Sequence, residues 1–142
     1  MGIEQCSSYA REAIRVLVTS GDSVYAKYLE ERLEHEGMGV VRWSADAPPN
    51  LRDLAGVDVV LVETHELGDA GWMLLEMVRE QAPLTEIVVI SSEPPVESAV
   101  QAFRSGVFAI LPYPVSDVQL INAITSACRR KRHGEERMRN LP

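Results

Sequence analysis

The residue of this sequence that is best placed to do chemistry is Glu63, a carboxylate at the end of a short apolar run. Residues 59–62 are three valines and a leucine with no polar interruption, which is typical of a strand buried on both faces. A polar loop with Gly68 and Gly71 follows, and then a helical pattern. Ligands and chemistry in open α/β sheets lie beyond the carboxyl ends of the strands. Glu63 is therefore either a working group or the remnant of one.

Three hydroxyl side chains are predicted to reach the same edge of the sheet as Glu63. Ser20, Ser91 and Tyr113 each follow an apolar, strand-like run. A carboxylate that is removed from water needs hydrogen bonds, so we expect one or more of these hydroxyls to hold Glu63. The alternative is that Glu63 points into water and does nothing.

Five strand-like runs alternate with helical patterns from one end of the chain to the other. The strand-like runs cover residues 14–19, 40–43, 59–62, 87–90 and 108–111, and the helical patterns lie around 23–36, 51–54, 71–81, 94–106 and 116–132. Such alternation predicts an α/β fold in which a five-stranded parallel sheet has helices on both faces. The two valine-rich runs belong at the centre, so we expect the strand order 2-1-3-4-5.

Length and composition bound the class of protein. The chain has 142 residues, of which 46% are apolar and 25% are charged, the proportions of a globular domain with a real core. No stretch approaches the ~18 consecutive apolar residues of a membrane span, and the N-terminus has no signal-peptide core. We therefore expect a cytoplasmic protein that does not bind membranes. Cys6 and Cys128 fit no metal spacing and are expected to be reduced thiols.

The predicted domain organisation has three parts. Residues 1–12 are expected to be a flexible N-terminus, residues 13–132 the domain, and residues 133–142 a tail or the start of a linker. Ser116 and Gln119 have capping-box spacing at the start of the last helix, and we expect the ordered domain to end at His133-Gly134.

The net charge of −7 is unevenly distributed. Residues 129–139 contain six Lys or Arg residues, so the first 128 residues hold eight basic and nineteen acidic side chains. An acidic body argues against nucleic-acid binding by this domain. The basic run at 129–132 is either a nucleic-acid or membrane patch or a set of cations at a helix C-terminus that leads into a linker. We favour the second interpretation, because the helix dipole stabilises cations there.

The chain resembles the receiver domain of bacterial two-component response regulators over about residues 13–132. The resemblance rests on the spacing of strands and helices and on four local features: Glu63 with Gly71 eight residues later, Ser91-Ser92, Ser105-Gly106-Val107, and Pro114. It implies the flavodoxin-like, CheY-like receiver fold. It also implies a cis peptide bond before Pro114, since X-Pro bonds are the only common site for one.

Most of the residues that carry the family's chemistry are replaced. The acidic pair that holds Mg²⁺ in receivers corresponds to Ser20 and Gly21, and the phosphoacceptor aspartate corresponds to Glu63. The family's lysine corresponds to Tyr113, and its aromatic switch residue to Ile110. Of the family's site residues, the hydroxyl (Ser91) and the proline (Pro114) are kept.

We therefore expect a degenerate receiver, or pseudo-receiver, that is not an enzyme and binds neither a cofactor nor a metal. Such an atypical response regulator would act by protein–protein interaction without aspartate phosphorylation. Its partner would be a kinase, an output domain, a sensor domain or a second copy of the chain. The resemblance places this contact on the face formed by the fourth helix, the fifth strand and the fifth helix. Whether Glu63 imitates a phosphorylated aspartate or is inert stays open.

Two alternatives belong to other functional classes. One is a working response regulator with an unusual phosphoacceptor, which would be Glu63, Asp22 or Asp69. The other is a small flavodoxin-like cofactor-binding protein, for which residues 19–23 are the candidate phosphate loop. That loop lacks the glycine density of dinucleotide and P-loop motifs, so the second alternative is the weaker one.

Overall fold

The computed structural model describes residues 13–20, 23–43, 51–63, 69–91 and 106–141. Several predictions fall elsewhere. The flexible N-terminus, the fourth helix at 94–106 except for its last residue, the altered acidic position Gly21 and the alternative acceptor Asp22 lie outside the described residues, as does the side chain of Asp69.

The described residues form five strands and four helices. These are β1 (Arg15–Ser20), α1 (Ser23–His35), β2 (Gly39–Arg42), α2 (Leu51–Leu54), β3 (Val59–Glu63), α3 (Asp69–Gln81), β4 (Glu86–Ser91), β5 (Ala109–Pro112) and α4 (Asp117–Arg139). All neighbouring strands are parallel, and their order is β2-β1-β3-β4-β5. The predicted fold class and strand order are therefore confirmed. None of the described helices is long and apolar enough to cross a membrane.

The sheet separates two apolar clusters, because successive side chains of a strand point to opposite faces. On one face, residues such as Val18, Leu61 and Ile90 pack against α1 and α4. On the other face, residues such as Leu17 and Val60 pack against α2 and α3. β3 is buried along its whole length, which explains why its sequence is apolar without alternation.

The last helix is longer than the sequence pattern suggested. Ser116 caps its first turn, since the backbone N–H of Gln119 donates to Ser116 Oγ at 3.1 Å, as the capping-box spacing predicts. The helix α4 continues to Arg139, beyond His133-Gly134, where the ordered domain is expected to end. A glycine inside a helix costs about 1 kcal/mol relative to alanine. A Cβ at position 134 would lie 3.3 Å from Leu84 Cδ2, so the glycine lets α4 pass close to the loop that holds Leu84.

The basic run at 129–132 lies in the middle of α4, so the interpretation as cations at a helix end is wrong. Lys131 Nζ donates to Asp58 Oδ1 at 3.3 Å, and Arg132 Nη2 donates to Asp58 Oδ2 at 3.0 Å. Asp58 is 4% exposed and Lys131 is 8% exposed. Charges this deeply buried must be paired. The run therefore joins the helix to the residue that precedes β3.

Asp58 is further held by the backbone of β1. Its carboxylate accepts the N–H of Arg15 at 3.0 Å. Burial acts to raise the pKa of the Asp58 carboxyl, but the hydrogen bonds from Arg132 and Arg15 and the positive charge of Lys131 outweigh burial, so the pKa lies below its ordinary value. The folded state therefore favours ionised Asp58.

Cys128 lies near this carboxylate and is a buried free thiol. Burial raises its pKa to about 11, and the negative charge of Asp58 acts in the same direction. The thiol is therefore protonated and unreactive at neutral pH.

We expect Asp58→Asn to lower the free energy of unfolding by about 3 kcal/mol at pH 7, because it removes the negative partner of a buried ion cluster. Urea denaturation of the two proteins would measure the difference. The matched control is Glu86→Gln. Glu86 pairs with Arg130, whose side chain is 69% exposed, so the loss there should be below about 1 kcal/mol. Equal losses in the two variants would contradict this role of Asp58.

The contribution of Asp58 should also depend on pH. The pKa of Asp58 is lowered by folding from an ordinary value of 3.8. Its stabilising contribution is therefore fully present above that value and is lost as the pH falls through the folded-state pKa. The difference in unfolding free energy between the natural chain and Asp58→Asn should be constant above about pH 5 and should shrink below about pH 4. A difference that grows towards acid pH would show that folding raises the pKa of Asp58 instead of lowering it.

Candidate functional site

Glu63 ends β3 with its side chain buried inside the domain. It is 1% exposed and pairs in register with Ser20 of β1 and with Ile90 of β4. The alternation of side chains along a strand places it on the same face as Val59 and Leu61, which is the face covered by α1 and α4. The carboxylate is thus enclosed by the fold.

Ser20 supplies a hydrogen bond to this carboxylate. Ser20 Oγ donates to Glu63 Oε1 at 3.0 Å. The parallel register of β1 and β3 brings the two residues side by side, so both side chains leave the sheet on one face. This is the contact that was expected from Ser20. Hydrogen bonds from Ser91 and Tyr113 to Glu63 stay predictions.

Tyr113, which the resemblance aligns with the family's lysine, packs against another aromatic ring. The ring of Tyr113 meets the ring of Tyr25 edge to face, with centroids 4.7 Å apart and an interplanar angle of 63°. Tyr25 in turn stacks on Tyr28 at 5.9 Å. Burial raises the pKa of the Tyr25 phenol, a hydrogen bond with the Val115 backbone opposes this effect, and the charges of Tyr113 and Glu63 raise the pKa further. Tyr25 therefore lies close enough to Glu63 to respond to its charge.

The segment after β5 is fixed to β4 beside these rings. The Tyr113–Pro114 peptide bond is cis, as the resemblance implies. The N–H of Tyr113 donates to the carbonyl of Ser91 at 3.0 Å, and Ser91 pairs in register with Pro112. Ser91 and Tyr113 thus meet at the carboxyl edge of the sheet, the edge that also carries Ser20 and Glu63.

A second polar cluster joins α1 to the first turn of α4. Tyr28 donates its hydroxyl to Asp117 Oδ1 at 2.9 Å, and Arg32 Nε lies 3.1 Å from Asp117 Oδ2. The hydrogen bond to Asp117 raises the pKa of the Tyr28 phenol. Sequence reasoning missed this cluster, although the spacing of Tyr25, Tyr28 and Arg32 along one helix marks a continuous face.

The side chains that the structure brings together do not fit a Mg²⁺ site. Mg²⁺ takes octahedral oxygen ligands, usually carboxylates and waters. Ser20 and Glu63 are hydrogen-bonded to each other, and a serine hydroxyl is not the carboxylate ligand that Mg²⁺ usually takes. Among the residues that the structure describes, no three His, Cys, Asp or Glu side chains are grouped as metal ligands would be.

Similarity to known proteins lies at the level of three-dimensional structure. No protein-family model matches the chain, and no curated protein matches it either. A response regulator receiver domain protein from Clostridium thermocellum matches with a TM-score of 0.74 and 23% identity, over 84% of this chain and 97% of that chain. The signal receiver domain of an HD domain-containing protein from Pseudomonas fluorescens Pf-5 matches with a TM-score of 0.76 and 22% identity, over 89% and 94% of the two chains.

A third match is a CheY-like receiver domain protein from Methanospirillum hungatei JF-1. Its TM-score is 0.73 and its identity is 20%, and the match covers 86% of this chain and 98% of that chain. These likenesses establish that the chain has the receiver fold.

We expect Ser20→Ala to lower the free energy of unfolding by about 1–3 kcal/mol, because it removes a hydrogen bond from a buried carboxylate. The adjacent residue provides the control. Thr19 is 1% exposed, and its Oγ1 has no hydrogen-bond partner among the described residues. Thr19→Val should therefore leave the stability unchanged or raise it by about 1 kcal/mol. Thermal or urea denaturation measures both, and a loss for Thr19→Val as large as that for Ser20→Ala would contradict this account.

Proposed function

We propose that this chain is a receiver-like signalling module of a two-component type pathway, and that it binds other proteins without phosphorylation of residue 63. The observation that carries the proposal is the burial of Glu63, which is 1% exposed and accepts a hydrogen bond from Ser20. A phosphoacceptor has to be reached by the phosphodonor, and this carboxylate is enclosed on the face of the sheet that α1 and α4 cover.

The chemistry of phosphoryl transfer supports the same conclusion. A carboxylate oxygen attacks phosphorus roughly in line with the leaving group, and the charge of the phosphoryl group has to be neutralised by cations. In this chain the position of the family's lysine is Tyr113, whose ring packs against Tyr25. The positions of the acidic pair are Ser20 and Gly21. As the resemblance aligns them, these three residues supply neither the ammonium nor the carboxylate ligands that the family's reaction uses.

The length of the glutamate side chain adds a geometric obstacle. Glutamate places its carboxylate one methylene further from the backbone than aspartate does. A misplacement of about 1 Å can cost roughly 100-fold in rate. Glu63 would therefore be a poor nucleophile for this reaction even if a donor could enter.

The surface proposed for partner binding includes β5 and α4. β5 is the edge strand of the sheet, and Val118 in the first turn of α4 is 70% exposed. The partner would be a kinase, an output domain, a sensor domain or a second copy of the chain. Without phosphorylation of residue 63, this surface would be presented in one constant state.

The experiment is an intact-mass measurement of the purified chain after incubation with acetyl phosphate and Mg²⁺. We expect no increase in mass, because the carboxylate is buried and the resemblance aligns Tyr113 with the lysine that neutralises the phosphoryl charge in the family. A receiver domain with the complete acidic pair, aspartate and lysine is the positive control for the reagent.

A mass increase of one phosphate would contradict the proposal, and peptide mapping would then identify the acceptor. Loss of the adduct in Glu63→Gln would place the phosphate on residue 63, and its persistence would point to Asp22 or Asp69. A rise in melting temperature with flavin or nucleotide, measured on the same sample, would instead favour a flavodoxin-like cofactor-binding protein.

A further inference from the structure

Three consecutive cations of α4 reach the amino-terminal edge of the sheet. Arg130 Nε lies 3.1 Å from Glu86 Oε2, at the first residue of β4. Lys131 binds Asp58, directly before β3. Arg132 binds Asp58 and also donates to the carbonyl of Ala13 at 3.2 Å, beside β1. The run therefore crosses the starts of three neighbouring strands.

Asp58 is held in place by backbone hydrogen bonds to two neighbouring strands. Its backbone N–H donates to the carbonyl of Arg15 at 2.9 Å, and its carbonyl accepts the N–H of Glu86 at 3.2 Å. These bonds hold the residue between β1 and β4, so its carboxylate has a defined position. Because Asp58 and Lys131 are 4% and 8% exposed, their interaction is screened by salt much less than a surface pair would be.

The helix continues for two turns beyond this edge. Lys131 Nζ also lies 2.7 Å from Glu135 Oε2, one turn further along, and Gly134 passes close to Leu84. Beyond residue 135 the side chains are exposed, with Met138 at 58% and Leu141 at 63%. A short helix is unstable by itself in water, so the helical state of residues 133–139 depends on its attachment at the amino edge.

We propose that Asp58, Lys131 and Arg132 form a clamp that makes residues 133–139 a rigid helical arm of the domain. The basic run at 129–132 makes ion pairs within the domain and is not a nucleic-acid or membrane patch, since three of its four cations bind groups of the chain itself. A protein that binds the arm is then held at a fixed angle to the sheet. The clamp lies at the edge opposite Glu63 and does not depend on whether residue 63 is phosphorylated.

The test is native-state amide hydrogen exchange, measured by NMR on the complete chain. In the natural chain the amides of residues 134–138 should be protected. Protection there should fall about tenfold or more in Asp58→Asn and in Lys131→Gln, because each variant opens the clamp locally. If Asp58→Asn does not fold, Lys131→Gln carries the test.

Two controls separate the clamp from other causes. Arg129→Gln removes an exposed cation of the same run, and Val78→Ala weakens the core on the far face of the sheet, so both should leave the protection of residues 134–138 unchanged. The proposal is overturned if these amides are unprotected in the natural chain, or if both clamp variants leave them protected. It is also overturned if either control lowers their protection as much as Lys131→Gln does.

Discussion

The structure depends on one constraint: two carboxylates at opposite ends of the central strand β3 are buried, and each has to be hydrogen-bonded. A buried charge without partners costs several kcal/mol, which is comparable with the whole stability of a domain. At the amino end, Asp58 is bound by α4 and by the backbone of β1. At the carboxyl end, Glu63 is bound by Ser20 of β1. The register between β1 and β3 therefore has to satisfy both ends at once.

The two buried carboxylates at the ends of β3 differ in the charge of their side-chain partners. The partners of Asp58 are cations, so that end of β3 is electrostatically complete and holds a helix in place. The described partner of Glu63 is a neutral hydroxyl, and aromatic rings from α1 and from the segment after β5 lie nearby. One carboxylate therefore holds a helix against the sheet, while the other is hydrogen-bonded in an enclosed position at the carboxyl edge of the sheet.

The sequence was informative about the carboxyl end of the sheet and much less about the amino end. The valine-rich runs predict parallel strands, and parallel strands bring Ser20 and Glu63 together although 43 residues separate them. The partners of Asp58 lie 73 and 74 residues away, and no periodicity links a helix surface to the start of a strand. The one local signal was a charged residue inside the apolar stretch at 57–62, which is unusual unless that residue is paired.

Gly134 shows a second limit of local reasoning. Glycine near the end of a helical pattern usually marks its C-terminus, but α4 continues past Gly134 to Arg139. A Cβ at position 134 would lie 3.3 Å from Leu84 Cδ2, so the side chain of Leu84 would have to shift slightly if a larger residue replaced the glycine. The role of Tyr25 and Tyr28 in α1 was equally hard to predict, because their spacing along the helix is compatible both with packing in the core and with contacts between aromatic rings.

The attachment of α4 at two separate points has a mechanical consequence. Tyr28 and Arg32 hold its first turn through Asp117, and Asp58 holds it about 20 Å further along, at 1.5 Å of rise per residue. A helix held at two such points cannot slide along its own axis or pivot about one end without breaking one of these polar contacts. Any motion that α4 transmits would therefore be a small tilt shared by the whole helix.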